Sequence, residues 1–258
     1  MLRFTANLSV LFTEVELEQR FSLAKKQGFN AVEIQFPYGL NAETIRTKLQ
    51  EHQLQLVLFN VAADDLLQGG EGLAAVPEKK EHFKAAIIQA CDYAKILKPD
   101  AINILPGRCF NKERSNEYLE TFKDNLRLAL SAFSPLGIKT VFEAINTHDM
   151  PNFIVHNSQQ MLAILDELNH PDLLMQYDIY HMLMMQEQAG DFIKQQAHKI
   201  GHIQFADCPG RHEPGTGTAN FEKLFKTIKN SNYAGWVGAE YNPNTSSATS
   251  FNWLTHFY

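Results

Sequence analysis

The sequence contains only three cysteines in 258 residues: Cys91, Cys109 and Cys208. An odd number of widely spaced cysteines predicts neither a disulfide framework nor a zinc-binding motif. Chains without disulfides are typical of reducing compartments, so we expect a cytoplasmic protein.

Long apolar runs and excess positive charge are also missing. No apolar stretch approaches the roughly 18 residues that a membrane-spanning helix requires, and residues 1–10 lack the apolar core and cleavage site of a secretory signal. Lys and Arg number 23 against 29 Asp and Glu, which gives a formal net charge of −6. Because phosphate binding depends on clustered Lys and Arg, we expect no nucleic-acid partner. The absences favour a soluble protein that acts on a small molecule.

Eight short apolar runs, rich in Val, Ile, Phe and Tyr, alternate with segments of helical periodicity. They span residues 3–10, 30–37, 54–60, 100–107, 140–145, 173–179, 201–207 and 235–241. Repeated strand and helix units form parallel sheets. One (β/α)8 barrel takes about 250 residues, so the sequence predicts an α/β protein with a single TIM barrel domain over residues 1–258.

The segments between the runs carry helix signals. Gly28 stands where a glycine would end the first helix, and helices are predicted over about 78–98 and 115–133. After the fifth strand, Ser158 is the expected N-cap.

Four oxygen-bearing side chains recur near the ends of the last four apolar runs: Glu143, Asp178, Gln204 and Glu240. The carboxyl ends of the strands build the active site of a parallel barrel, and oxygen ligands suit a hard divalent cation. Taken singly, a carboxylate here could form a structural ion pair, Asp178 could cap a helix, and Gln204 could bond its neighbours. The regular recurrence on four successive strands favours a metal site. His181, three residues after Asp178, would lie at the same end of the barrel.

Further motifs are distributed along nearly the whole chain. They are ANLSVLFTE at 6–14, EIQFPY at 33–38, FEA at 142–144, QYDIYH at 176–181, RHEPGTG at 211–217 and GAEY at 238–241. Together these motifs resemble the hydroxypyruvate isomerase family within the xylose-isomerase-like TIM barrel superfamily.

The resemblance implies an intramolecular oxidoreductase of glyoxylate and carbohydrate metabolism. Its reaction would interconvert hydroxypyruvate and tartronate semialdehyde (2-hydroxy-3-oxopropanoate) through an enediolate. It implies one divalent ion, Mg²⁺ or Mn²⁺, held by Glu143, Asp178, Gln204 and Glu240. Glu143 and Glu240 would also transfer protons, His181 would contact the substrate, and Arg211 would receive a substrate carboxylate or hydroxyl oxygen.

Other functions remain open at this stage. A 2-oxo-tetronate isomerase, or a ketose isomerase or epimerase of the same superfamily, would differ only in the substrate that the loops admit. A DNA-repair endonuclease of the same barrel type would need additional histidines for a zinc cluster and a basic groove, and a barrel that only binds a ligand would need no catalyst. A homo-oligomer is compatible with the sequence.

Overall fold

The computed structural model describes residues 1–256, and its strands form one closed parallel barrel in which each strand pairs with the next and the last pairs with the first. The strands are β1 (Arg3–Asn7), β2 (Ala31–Ile34), β3 (Gln55–Asn60), β4 (Ala101–Ile104), β5 (Lys139–Glu143), β6 (Leu173–Asp178), β7 (Ile200–Phe205) and β8 (Trp236–Ala239). The predicted (β/α)8 TIM barrel is therefore confirmed. The predicted domain extended to residue 258, and residues 257 and 258 lie outside the described part of the chain.

Helices follow every strand except β8 and surround the barrel, with two of them after β6. They are α1 (Leu17–Lys26), α2 (Ala42–Glu51), α3 (Lys80–Leu97), α4 (Ser115–Phe133), α5 (Ser158–Leu168), α6 (Ile179–Met184), α7 (Ala189–Gln196) and α8 (Phe221–Asn230). Short 3-10 turns follow β8.

Several predicted strands extend too far. The first was expected over 3–10 and ends at Asn7, and the fourth was expected over 100–107 and ends at Ile104. Apolar residues continue past both ends, but after Asn7 the backbone of Leu11 donates to the Asn7 carbonyl 2.9 Å away and forms a turn. Apolar character therefore marks burial here and does not mark strand pairing.

The helix boundaries agree more closely with prediction. Gly28 lies just past α1 with φ +94°, which is the left-handed conformation that favours glycine. The prediction of Ser158 as an N-cap is wrong. Asn157 is the cap, because its side chain accepts a hydrogen bond from the Gln160 amide, and Ser158 is the first helical residue.

Side chains alternate between the helical layer and the barrel interior, as strand geometry requires. On β6, the ring of Tyr177 stacks on Phe192 of α7 with centroids 4.8 Å apart. Its neighbour Gln176 points inward and donates to Glu143 of β5 and to Gln204 of β7. The alternation directs apolar residues to the outer core and polar residues to the inside of the barrel.

An aromatic cluster joins β1 to β7, to α8 and to the segment that follows β8. Phe4 of β1 makes edge contacts with Phe205 of β7, Phe225 of α8 and Trp253, at centroid separations of 5.2 to 6.2 Å. Such pairs contribute about 0.5–1.5 kcal/mol beyond the area they bury. The cluster packs β1, β7 and α8 against the segment that follows β8, whereas β8 itself pairs directly with β1. Among residues 1–256, no helix is long and apolar enough to cross a membrane.

Candidate active site

Three carboxylates meet at the carboxyl end of the barrel. Glu143 is the last residue of β5, Asp178 is the last residue of β6, and Glu240 directly follows β8. All three are buried, with exposed fractions of 5% or less. One potential ligand atom from each of Glu143, Asp178 and His181 lies within 4.8 Å of the others. The strand ends thus bring together the acidic groups that the sequence pattern singled out.

Glu143 is held by amide donors on both of its oxygens. Asn103 Nδ2 on β4 donates to Oε1 at 2.9 Å, and Gln176 Nε2 on β6 donates to Oε2 at 2.9 Å. Burial raises the pKa of Glu143, and the negative charges of Glu240 and Asp178 raise it further. Glu143 is therefore a fixed carboxyl group that binds a proton more strongly than an ordinary glutamate does.

Glu240 is held from three sides. Its Oε1 accepts hydrogen bonds from Asn7 Nδ2 at 2.9 Å and Gln35 Nε2 at 2.6 Å. Its Oε2 accepts from the guanidinium of Arg211 at 2.9 Å. Burial raises the pKa of Glu240, and Arg211 opposes that rise. The two glutamates, on β5 and after β8, thus face one centre from opposite sides of the barrel mouth.

Arg211 supplies the positive charge of this cluster. It lies in the loop after β7 with φ +57°. Its Nη2 is 2.9 Å from Glu240 Oε2 and 3.6 Å from Asp178 Oδ2. Its guanidinium lies over the Tyr180 ring, 5.2 Å from the ring centroid. One guanidinium faces three carboxylates, which leaves two negative charges unmatched when all three are ionised. A divalent cation would neutralise that excess.

Asp178 provides the most direct test of whether a cation fits. Its Oδ1 accepts from the backbone N–H of Tyr180 at 2.9 Å and caps α6, as the helix-cap alternative predicted. Its Oδ2 is buried and accepts no hydrogen bond. A buried carboxylate oxygen without a donor is costly unless a cation binds it. The residues present therefore fit a divalent metal ion.

His181 lies next to this unsatisfied oxygen. Its Nε2 is 3.5 Å from Asp178 Oδ2, and its Nδ1 is 2.7 Å from Asn146 Nδ2. The side chain is buried, which contradicts the surface histidine expected if Asp178 were only a helix cap. Burial lowers the pKa of His181 well below its ordinary value, and the charge of Arg211 lowers it further. Both effects favour the neutral imidazole.

Gln204 belongs to a second buried polar network beneath the carboxylates. Its Oε1 accepts from Gln176 Nε2 at 2.7 Å, and its Nε2 donates to Glu33 Oε2 at 2.6 Å. Glu33 Oε1 also lies 2.9 Å from His202 Nε2. A Cβ at Gly238 would lie 1.9 Å from Glu33 Oε1, so glycine at this position makes room for the carboxylate. The structure thus places Gln204 beside the site but bonded to protein partners.

The cavity at the barrel mouth is small, with a volume of about 90 Å³. Its walls comprise Gln35, Phe36, Asn60, Leu67, Leu105, Glu143, Ile145, Asp149, Met150, His181, Arg211 and Glu240. Five of the six predicted site residues either line it or, in the case of Asp178, adjoin those that do. His212 and Glu213, from the same loop as Arg211, instead contact the segment after β8.

The amides that hold the carboxylates and His181 were not predicted from the sequence. They are Asn7, Gln35, Asn103, Asn146 and Gln176. Their position at or near strand ends is the signal that could have found them, because the rule that selected Glu143 applies equally to amides.

Comparisons with known proteins identify the family of the chain. A sequence model described as xylose isomerase-like TIM barrel matches residues 21–257. Hydroxypyruvate isomerase of Escherichia coli (strain K12) is 39% identical over 254 residues, which cover 98% of each chain. A 2-oxo-tetronate isomerase of Pectobacterium atrosepticum is 35% identical over 253 residues, covering 98% of this chain and 97% of that one.

A solved structure described as AP endonuclease, family 2, from Brucella melitensis superposes with a TM-score of 0.95 at 33% identity, covering 100% of this chain and 99% of the other. The two proteins therefore share the same barrel fold. The family match, the sequence relatives and the strand-end carboxylates lead to one conclusion: the chain belongs to the xylose isomerase-like TIM barrel family.

Proposed function

We propose that the protein is a metal-assisted isomerase that interconverts hydroxypyruvate and tartronate semialdehyde. The observation that carries the proposal is the pair of buried glutamates, Glu143 and Glu240, which face one cavity together with His181 and Arg211. The 39% sequence identity to a hydroxypyruvate isomerase, over 98% of the chain, supports the same assignment.

Cavity size supports a small substrate. The volume of about 90 Å³ is well below the roughly 300 Å³ at which pockets for drug-sized ligands begin. A three-carbon or four-carbon acid fits this space better than a hexose does. Arg211 gives the cavity a planar cation whose fork geometry suits a carboxylate. The substrate class favoured is therefore a short 2-oxo acid.

Glu143, Asp178 and Glu240 would hold the divalent ion, which we propose is Mg²⁺ or Mn²⁺. Gln204 would join them if its Oε1 exchanged the hydrogen bond from Gln176 for the ion. When bound, such an ion supplies Lewis acidity that stabilises negative charge on neighbouring carbonyl and hydroxyl oxygens.

The glutamates transfer the proton. One carboxylate accepts a proton from C3 of hydroxypyruvate, which forms an enediolate across C2 and C3. A proton is then delivered to C2, and the proton of the C3 hydroxyl passes to the C2 oxygen, which gives the aldehyde at C3 and the hydroxyl at C2. In metal-free protein, burial raises the pKa values of Glu143 and Glu240 above those of ordinary carboxylates. A bound cation would lower their basicity and would also acidify the C3 proton of the substrate, which is what the transfer requires. No redox cofactor is needed because the substrate is both oxidised and reduced.

A substrate panel tests the proposal. Protein reconstituted with Mg²⁺ or Mn²⁺ is offered hydroxypyruvate, a 2-oxo-tetronate and a six-carbon ketose, and the products are followed by NMR. We expect the highest kcat/KM with hydroxypyruvate, and loss of turnover after chelation. Failure to isomerise hydroxypyruvate in metal-loaded protein would contradict the proposal. A higher kcat/KM with the 2-oxo-tetronate would assign the protein to the activity that the Pectobacterium relative is named for.

DNA repair is the second candidate, because the Brucella structure is described as an AP endonuclease. The residues at the mouth argue against it. His181 is the one histidine among the residues that line the described cavity. Near their carboxyl ends, β3 and β4 contribute Asn60 and Asn103 and not the additional histidines that a zinc cluster would need. The chain carries a net charge of −6, which opposes phosphate binding. Nicking of DNA with an abasic site by the metal-loaded protein would overturn this exclusion.

The cellular setting is also a proposal. All three cysteines lie in the described part of the chain, and all three are free, which fits the reducing cytoplasm. We place the reaction in glyoxylate and carbohydrate metabolism on the basis of the substrate class.

A further inference from the structure

Asn146, in the segment after β5, has a fixed side-chain orientation. It is fully buried, and its Oδ1 accepts hydrogen bonds from the backbone N–H groups of His148 at 3.0 Å and Asp149 at 2.8 Å. Turning the amide over would place its NH₂ group against these two donors. The orientation therefore follows from the backbone, because the oxygen is the part of the amide that can face two N–H groups.

The amide nitrogen of Asn146 consequently faces His181. Nδ2 lies 2.7 Å from His181 Nδ1 and donates its other hydrogen to Asp149 Oδ2 at 2.9 Å. An amide nitrogen only donates, so His181 Nδ1 must accept. A neutral imidazole that accepts at Nδ1 carries its proton on Nε2.

The protonated nitrogen, Nε2, is on the side of the ring that faces Asp178. His181 Nε2 lies 3.5 Å from Asp178 Oδ2, and the side chain lines the cavity together with Glu143, Glu240 and Arg211. An oxygen of a bound substrate next to His181 Nε2 would therefore contact a hydrogen-bond donor and not an acceptor.

We propose that Asn146 is a positioning residue that holds His181 as the Nε2–H tautomer, so that His181 donates a hydrogen bond to an oxygen of the enediolate. The substrate part of this inference rests on the proposed isomerase function. In this tautomer Nε2 has no lone pair, so His181 is neither a metal ligand nor the base. Proton transfer is left to Glu143 and Glu240.

A preorganised donor to a developing oxyanion is worth on the order of 10²-fold in turnover. Its effect falls on kcat more than on KM, because the hydrogen bond strengthens as charge develops on the oxygen. A residue that only supported the loop would alter stability and both constants together.

The tautomer can be read directly by NMR. Protein labelled with ¹⁵N-histidine is examined without substrate, with and without Mg²⁺, and the His181 signals are assigned by their loss in His181→Asn. We expect a protonated Nε2 and an unprotonated Nδ1 in both samples. Protonation at Nδ1, or loss of the Nε2 proton when Mg²⁺ binds, would overturn the inference.

Asn146→Asp provides the matched perturbation. A carboxylate keeps an oxygen for the two backbone N–H groups but can only accept from His181, so Nδ1 should become protonated. We expect kcat on hydroxypyruvate to fall by about 10²-fold with little change in KM. Asn41→Asp is the control, because Asn41 caps α2 by accepting from the Glu43 amide, away from the site.

The outcomes separate this inference from the proposed function. An unchanged His181 tautomer in folded Asn146→Asp would show that Asn146 does not set it. If Asn146→Asp fails to fold, the wild-type spectrum still shows whether His181 is the Nε2–H tautomer. A protein with the expected tautomer that never isomerises hydroxypyruvate would refute the proposed function and leave the role of Asn146 in place.

Discussion

The two halves of the barrel present different chemistry at the mouth. Strands β1 to β4, with the residues just after them, contribute the amides Asn7, Gln35, Asn60 and Asn103, whereas the second half contributes the carboxylates Glu143, Asp178 and Glu240. Hydrogen bonds cross between the halves: Asn7 and Gln35 donate to Glu240, and Asn103 donates to Glu143. The amides of the first half therefore orient one oxygen of each glutamate, and Gln176 and Arg211 of the second half hold the other.

This division explains how buried carboxylates are tolerated. Each hydrogen bond to a charged group contributes about 1.5–3 kcal/mol, and an isolated buried carboxylate would lose far more on leaving water. Glu33 is the exception in the first half, and it is paired with His202 and Gln204 from β7. Glu33, Glu143 and Glu240 each have a hydrogen-bond partner from another strand. In the described part of the chain, the Asp178 side chain is hydrogen-bonded only to the helix that follows it, and its Oδ2 accepts no hydrogen bond.

The largest effect is expected from the carboxylates of the second half. Glu143→Gln and Glu240→Gln each keep an oxygen for coordination but remove the proton acceptor. Turnover should fall by on the order of 10²-fold or more, while Mg²⁺ binding measured by calorimetry is largely retained. Glu222→Gln, an exposed change on α8, is the control. A variant with near-normal turnover and bound metal would show that its glutamate is only a ligand.

Arg211 should give the next largest effect. Arg211→Lys keeps the charge but loses the forked pair of donors, so kcat/KM for hydroxypyruvate should fall by about 10-fold or more. An uncharged ketose, where accepted, should lose much less. Equal losses on both substrates would mean that Arg211 serves only to hold Glu240 and Asp178.

A change in the first half should act through the metal. Asn103→Leu removes the donor to Glu143 Oε1, and loss of such a partner behind a metal ligand typically lowers affinity by about 10- to 100-fold. Asn125→Leu is the matched control, because the buried Asn125 donates to the Ala74 carbonyl away from the site. Unchanged Mg²⁺ affinity in Asn103→Leu would contradict the proposal that amides of the first half support metal ligands of the second.

The smallest effect is a dependence of thermal stability on pH. Burial raises the pKa values of Glu143, Asp178 and Glu240, so in metal-free protein their protonated forms stabilise the fold at low pH. That contribution is lost as pH rises from their ordinary values of about 4 through the raised values.

Added Mg²⁺ competes with those protons and binds more tightly at higher pH. The increase in Tm caused by Mg²⁺ should therefore be larger near pH 8 than near pH 5, and Asp178→Asn should reduce the difference. A larger increase near pH 5 would contradict the assignment of these carboxylates as ligands.

Prediction from sequence succeeded where periodic signals are strong. Helix α4 was predicted over 115–133 and is found at those residues, and the eight strands were all located. Carboxylates at strand ends were found because acidic groups are rare in apolar runs. Strand ends themselves were less certain, as β1 and β4 show, because apolar residues line turns as well as strands.

The amides could not be predicted in the same way. Asn103 and Asn146 belong to a residue type that is common in turns and caps, so nothing in the sequence shows which side chain each will contact. Those contacts join residues 35 to 233 positions apart and depend on closure of the barrel. Cavity size likewise depends on how the loops pack against one another.

Exchange with solvent deuterium tests the central claim most directly. Metal-loaded protein is incubated with hydroxypyruvate in D₂O, and deuterium at C3 of the substrate and C2 of the product is followed by NMR. The proposed enediolate predicts deuterium at both carbons, with exchange that falls in parallel with turnover in Glu143→Gln and Glu240→Gln. Turnover with no deuterium in either compound, or undiminished exchange in both variants, would contradict proton transfer by these glutamates.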